Sequence, residues 1–258
     1  MATQTILRET QDRIAILTLN RPEAGNKLNI QCMDALADAL REAEADPGCG
    51  AVILTARGEV FCGGGELGDY RGKSAMEIRR FGGSFIKLHT TIVRLVKPVI
   101  AAVQGDALGG GMSLVEACDL AVASEDASFG VPEIKSGLAP MMALTGVRRL
   151  RARKGCLEMA LLGESVSAAR AQEIGLINWV CPQSEVLDLA RAIAGRLAAN
   201  NPTALALCKK LYAQADALPY ERQLDAGLDT LVALLKSEDA AEALTAREEK
   251  RPPAWRGR

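Results

Sequence analysis

An α/β core followed by an α-helical tail is the architecture this sequence predicts, and three observations predict it. Short apolar runs alternate with amphipathic helical patterns as far as about Glu125. Those runs are apolar on both faces, as parallel strands covered by helices are. From about Gly155 onward the strand signal fades, and helical stripes punctuated by proline take over.

The elements follow in order. Ile14 to Leu19 reads as a strand that ends at Asn20-Arg21-Pro22, where proline removes a ladder donor. Met33, Leu36, Ala37 and Leu40 recur at helical spacing. Ala51 to Leu54 is a second buried strand between Gly50 and Gly58, and a long helical stretch covers roughly Ala75 to Val96. Pro98 opens a third strand, Val99 to Val103, and Leu120 to Ala123 reads as a fourth. Val186, Leu189, Ala190, Ile193 and Leu197 form another helical stripe, with Pro202 and Pro219 punctuating two more helices. No internal repeat or low-complexity segment stands out. We expect an α/β core over residues 1–195 and a helical region over 196–258.

Composition excludes several classes. With 258 residues, 48% hydrophobic, the chain supports one large domain or a domain with an appendage. Thirty-one basic residues face 32 acidic ones, so there is no excess of cations for a polyanion and no nucleic-acid partner is expected. The seven cysteines are irregularly spaced and none forms CxxC, which argues for reduced thiols and against a disulfide framework or a structural zinc. A single histidine excludes a His-rich metal site. Met1 to Arg13 is polar and mixed in charge, unlike a secretory signal, and Val99 to Val103 is far too short to span a bilayer. A soluble, cytoplasmic protein is expected, with no membrane association and no bound metal.

Two glycine clusters stand at strand-to-helix junctions. Phe61-Cys62-Gly63-Gly64-Gly65-Glu66-Leu67 follows the second strand, and Gly105 to Met112 follows the third. Both belong on the carboxyl edge of a parallel sheet, where ligands bind. The second cluster opens a helix, Gly110 to Ala117, whose free N–H groups favour an anion. Two such N–H groups aimed at one carbonyl oxygen make an oxyanion hole. A glycine run after a strand also serves as a plain tight turn, and neither GxxxxGK[ST] nor GxGxxG is present, so a nucleotide fingerprint is lacking.

At this point the chain resembles the enoyl-CoA hydratase/isomerase (crotonase) family over nearly its whole length. Asn20 to Asn29 resembles the family's NRPxxxNAL segment, Phe61 to Leu67 its FCAGADL loop, and Lys97 to Gly111 its KPVIAAVNGxALGGG run. Ala117 to Leu120 resembles its ACD entry, and Phe129 to Glu133 matches FGxPE. Leu162 to Pro182 and Ser237 to Arg258 resemble its two C-terminal stretches. Seven matches in order are far more specific than any one.

The resemblance implies a crotonase-like spiral of ββα units with a C-terminal helical trimerisation region, assembled as a homotrimer or hexamer. It implies an acyl-CoA thioester substrate and no cofactor beyond the coenzyme A the substrate carries. The two oxyanion amides map onto Gly65 and Gly110. Substrate contacts map onto Lys27, Leu28, Gly63, Gly64, Leu67, Ser113, Pro132, Pro140 and Met141, with adenine near Lys27.

The family's hydratases resemble a two-glutamate mechanism, and one glutamate aligns with Glu133. The other aligns with Ser113, which cannot do a carboxylate's work at neutral pH. Hydration of a 2-enoyl-CoA and 3-to-2 enoyl-CoA isomerisation by Glu133 alone both stay open. Glu116, one helical turn beyond Ser113, is a candidate second acid or base. Met141 and Met142 stand where relatives often carry small glycines, either shaping the acyl pocket or packing the next helix. His89 reads as a histidine on a helix face, and no motif links it to Cys62 as a nucleophile. Hydrolase, dehalogenase or decarboxylase chemistry on the same fold is the alternative. A non-catalytic acyl-CoA- or RNA-binding relative is a further one.

Overall fold

The computed structural model describes residues 4–147, 153–215 and 218–258. The expectation about Met1 to Arg13 therefore falls partly outside the described residues. Strand β1 (Ile6–Gln11) pairs antiparallel with β2 (Ile14–Leu19). Helix α1 (Ile30–Ala45) then crosses to β3 (Ala51–Ala56), and α2 (Ala75–Arg94) crosses to β4 (Val99–Val103). The short β5 (Ala107–Leu108) and α3 (Gly110–Ala117) lead to β6 (Leu120–Ser124) and β7 (Ser128–Gly130).

Helices α4 (Ala143–Val147) and α5 (Arg153–Leu162) precede β8 (Val166–Ser167), α6 (Ala168–Glu173) and β9 (Trp179–Cys181). Helices α7 (Val186–Ala199), α8 (Pro202–Ala215), α9 (Tyr220–Leu235) and α10 (Glu238–Glu248) complete the chain.

The six-stranded sheet runs β1-β2-β3-β4-β6-β9, and every pairing beyond the first hairpin is parallel. Beside it runs a second, shorter ladder: Leu28 to Gly65, Cys62 to Ala107, β5 to β7, and β7 to β8. Each turn of chain places one strand in the large sheet and one segment in the short ladder before a helix returns. That repeated step is the ββα spiral the resemblance implies. Strand β9 was not legible because its three residues carry no periodicity; pairing with β6 makes it a strand.

Two apolar layers flank the large sheet. One face packs on α1 and α2 through Leu17, Leu54, Val103, Met33, Leu36 and Leu88. The other packs on α7 through Ile16, Ile53, Ile100, Val186, Ala190 and Ile193. Strands buried on both faces account for the continuous apolar runs of the sequence.

The helical tail docks on this core. Lys209 donates to Asp119 Oδ2 at 2.6 Å and to the Lys97 carbonyl at 2.8 Å, and the Trp255 indole donates to the Ala199 carbonyl at 2.8 Å. Buried Asp239 accepts from Thr203 Oγ1 at 2.6 Å and from the backbone of Arg256 and Gly257 at 2.7 and 3.0 Å. Among the described residues, no helix is long and apolar enough to cross a membrane.

Candidate active site

The two glycine clusters meet. The Cys62 N–H donates to the Asp106 carbonyl at 3.1 Å and the Leu108 N–H to the Cys62 carbonyl at 2.9 Å, stitching one loop to the other. Gly64 adopts φ +100°, which side chains rarely tolerate, and a Cβ there would crowd the Leu108 carbonyl at 3.1 Å. A Cβ on Gly110 would lie 3.4 Å from the Gly65 nitrogen, so the two amides are neighbours.

Among the described residues neither N–H has a hydrogen-bond partner, so both can serve a ligand. The bridge to Leu28 uses the carbonyl of Gly64 and the N–H of Glu66, and leaves the Gly65 N–H out. Gly110 is the first residue of α3, with no carbonyl one turn back inside the helix to accept its N–H.

The loop ahead of α1 closes one side. Arg21 donates to the Lys27 carbonyl at 2.6 Å and to Glu66 at 2.9 Å, holding Lys27 and Leu28 against the first cluster. Buried Asn26 donates to the carbonyls of Arg57 and Val60, and its Oδ1 accepts from Arg21. Exposed Lys27 lays its stem over Gly63, and buried Leu28 touches Gly110. A crevice of about 350 Å³ lies beside Leu67, among Asn29, Gln31, Lys73, Arg80 and Phe81. Another of about 360 Å³, near Thr55, Gln104 and Gln183, contains neither amide.

Glu133 enters from a 3₁₀ turn, Pro132–Ser136, whose first position is set by Pro132. The Gly109 N–H donates to the Gly130 carbonyl at 2.8 Å, and this pairing brings the turn to the mouth of α3. A Cβ on Gly109 would lie 2.7 Å from Glu133 Oε1. The other oxygen, Oε2, is buried without a hydrogen-bond partner. Burial raises the Glu133 carboxyl above its ordinary range, which suits a base that must also give its proton back.

Ser113 is buried one turn along α3, and its hydroxyl donates to the Gly109 carbonyl at 3.3 Å. Glu116, a turn further, packs against Gly146 of α4 with neither carboxyl oxygen partnered. Pro140 is buried, while Met141 is 62% exposed. Cys62 is wholly buried, and burial pushes its thiol up to about 12, which leaves no thiolate to act as a nucleophile. Among the described residues, no cluster of histidine, cysteine and carboxylate side chains has the makings of a metal site.

One wall was missed in the sequence. Phe81 lies 3.1 Å from a Cβ built on Gly65, and Phe85 lies 3.3 Å from one built on Gly110. His89 stacks on Phe85 with ring centroids 3.8 Å apart. The signal was there: residues 81, 85 and 89 stand four apart and share one helix face.

Known proteins share this sequence pattern and fold. The sequence profile of the enoyl-CoA hydratase/isomerase family matches residues 9–258. The chain is 34% identical to a probable enoyl-CoA hydratase of Mycobacterium bovis, over 99% of both chains. It is 33% identical to a 2,3-dehydroadipyl-CoA hydratase of Escherichia coli, over 96% of this chain and 97% of the other. The crystal structure of an enoyl-CoA hydratase of Mycobacterium smegmatis superposes with a TM-score of 0.91 at 33% identity, covering 98% of this chain and 99% of that one. An enoyl-CoA hydratase of Bacillus anthracis gives 0.93 at 29% identity over 99% and 100%. The chain belongs to the enoyl-CoA hydratase/isomerase family and has its crotonase fold.

Proposed function

We propose that this enzyme hydrates 2-enoyl-CoA thioesters, holding the thioester oxygen between the Gly65 and Gly110 N–H groups and using Glu133 as its acid and base. The observation that carries the reading is the Glu133 carboxyl, with Oε1 packed against Gly109 and Oε2 buried without a partner, beside the two neighbouring unspent amides that α3 and the first glycine loop present. Relatives at a third identity over almost full length are named as hydratases.

The chemistry balances with one carboxylate. Glu133 takes a proton from water as the oxygen attacks C3, and the electron pair of the double bond moves onto the thioester oxygen as an enolate. The two amides stabilise that charge, each worth roughly 2.7–4 kcal/mol in comparable sites. Glu133 then returns its proton to C2. Nothing is oxidised or reduced, so the step calls for no redox cofactor. The curved CoA chain runs past Lys27, Leu28, Gly63 and Leu67, with Pro132, Ser113, Pro140 and Met141 toward the acyl group.

Ser113 favours a second reading. With no carboxylate at its position, Glu133 is also able to move a proton from C2 of a 3-enoyl-CoA to C4 through the same enolate. Assays with 2-enoyl- and 3-enoyl-CoA esters, following loss or gain of the conjugated thioester absorbance, separate the two.

We further infer a homotrimer or a hexamer built from trimers through residues 196–258. On α9, Leu224, Leu228, Leu231 and Leu235 stand 50–65% exposed on one stripe, apolar area that a second copy would bury. The seven thiols are all unpaired, which supports a cytoplasmic location.

A further inference from the structure

Helix α2 is built in two unlike halves. Its C-terminal half is fixed to the core: Phe85, Leu88 and Ile92 are buried, Lys87 pairs with Asp34 of α1 at 2.9 Å, and Thr91 accepts from Arg41 at 3.5 Å. Its first two turns are held by much less. Every residue from Ser74 to Arg80 is exposed. The Ser74–Glu77 capping box, with bonds of 2.7 and 2.8 Å, closes within that segment. Among the described residues, no side chain from Ser74 to Arg80 hydrogen-bonds to the rest of the chain. A helix end with so few buried contacts belongs to the low-stability end of a protein's local openings.

Gly82 and Gly83 stand where the two halves meet. Inside a helix, glycine is less favourable than any residue but proline. Nothing in the packing asks for it here. Neither glycine has a positive φ, and a Cβ on either would meet nothing within 4 Å. Gly111 shows the contrast, since a Cβ there would strike the Cys62 carbonyl. Room for a movement is present as well. The crevice of about 350 Å³ lies between Glu77, Arg80 and Phe81 on the α2 side and Asn29 and Leu67 on the other. Phe81, the last residue before the glycine pair, lines that crevice and also reaches Gly65, 3.1 Å from the place of a Cβ there. A swing of the first two turns would therefore carry the ring that lies against one oxyanion amide.

We propose that Ser74 to Phe81 is a lid that pivots on Gly82 and Gly83 and closes the crevice over the bound acyl-CoA thioester. This rests on the acyl-CoA reading of the site. The straight helix seen here leaves the crevice open, and bending at the glycine pair brings the lid down toward Asn29 and Leu67. Closure expels water from around the thioester, which strengthens the hydrogen bonds of the two amides to the enolate. Alanines at the junction would favour the straight helix and so the open state.

Hydrogen exchange read by mass spectrometry, with the saturated ester hexanoyl-CoA as the probe, tests this without turnover. In the free wild type, residues 78–83 should exchange about tenfold faster than residues 88–94, and saturating hexanoyl-CoA should slow 78–83 about tenfold while changing 88–94 little. The double variant Gly82→Ala/Gly83→Ala, whose methyl groups have space, should slow exchange of 78–83 in the free protein. It should also release hexanoyl-CoA about tenfold faster in stopped-flow displacement, because closure is disfavoured. Equal exchange in both halves of free α2, no protection of 78–83 by the bound ester, or an unchanged release rate in the variant would each overturn the lid and leave the function above intact. Failure of hexanoyl-CoA to bind the wild type in calorimetry would overturn the acyl-CoA reading itself.

Discussion

Glu133 Oε1 occupies the space next to Gly109 so closely that a Cβ on that glycine would stand 2.7 Å away. Gly109 also has φ +51°, a left-handed value that side chains tolerate poorly. Gly109→Ala should therefore displace the Glu133 carboxylate and tilt the start of α3. Steady-state turnover of an enoyl-CoA should fall by about 10²-fold, a loss typical of small misplacements. The variant's circular dichroism should stay close to that of the wild type.

The raised Glu133 carboxyl makes a pH prediction. As a base it works ionised, so kcat/KM should climb with pH through an inflection above the ordinary glutamate range. The acid limb of a pH–rate profile checks this, and an inflection at or below an unperturbed glutamate would contradict it.

Glu116 predicts a stability trend with the sign fixed by linkage. Its folded pKa is raised by burial, so the folded chain holds that proton more tightly than the unfolded one. Its contribution is present below the unfolded glutamate pKa and is lost as pH rises toward the folded value. Glu116→Gln carries no titrating proton. Its melting temperature relative to wild type should improve as pH rises above the ordinary glutamate range, measured by thermal denaturation without ligand.

Asp239 behaves in the opposite sense. Burial alone would raise its carboxyl, but donation from Thr203, Arg256 and Gly257 outweighs burial and holds it below the usual range. The stabilisation is present above the unfolded aspartate pKa and lost as pH falls through the folded one. Asp239→Ala frees the C-terminal strap from α8 and should lower the melting temperature by about 5 °C at neutral pH. The deficit should shrink on acidification below the ordinary aspartate range.

Much of this was legible in the sequence because the large sheet is built from strands buried on both faces. β2, β3, β4 and β6 announce themselves as apolar runs, and α3 was bounded correctly by its glycines. β1 is largely exposed and polar, and β8 and β9 are two and three residues long, so no periodicity marks them. Within the site, the glycine clusters and Glu133 carried local motifs. The wall of Phe81, Phe85 and His89 carried only its four-residue spacing, whose meaning depends on α2 lying across both glycine loops. Likewise Glu116 looks like a solvated helix residue until α4 is seen to cover it.

The measurement that tests the central claim most directly is turnover of a 2-enoyl-CoA by Glu133→Gln beside the wild type, read from the conjugated thioester absorbance. The amide keeps the side chain's shape and removes its basicity, so a fall of about 10²–10⁴-fold in kcat with thioester binding preserved is the expected result. Undiminished turnover by Glu133→Gln would contradict it.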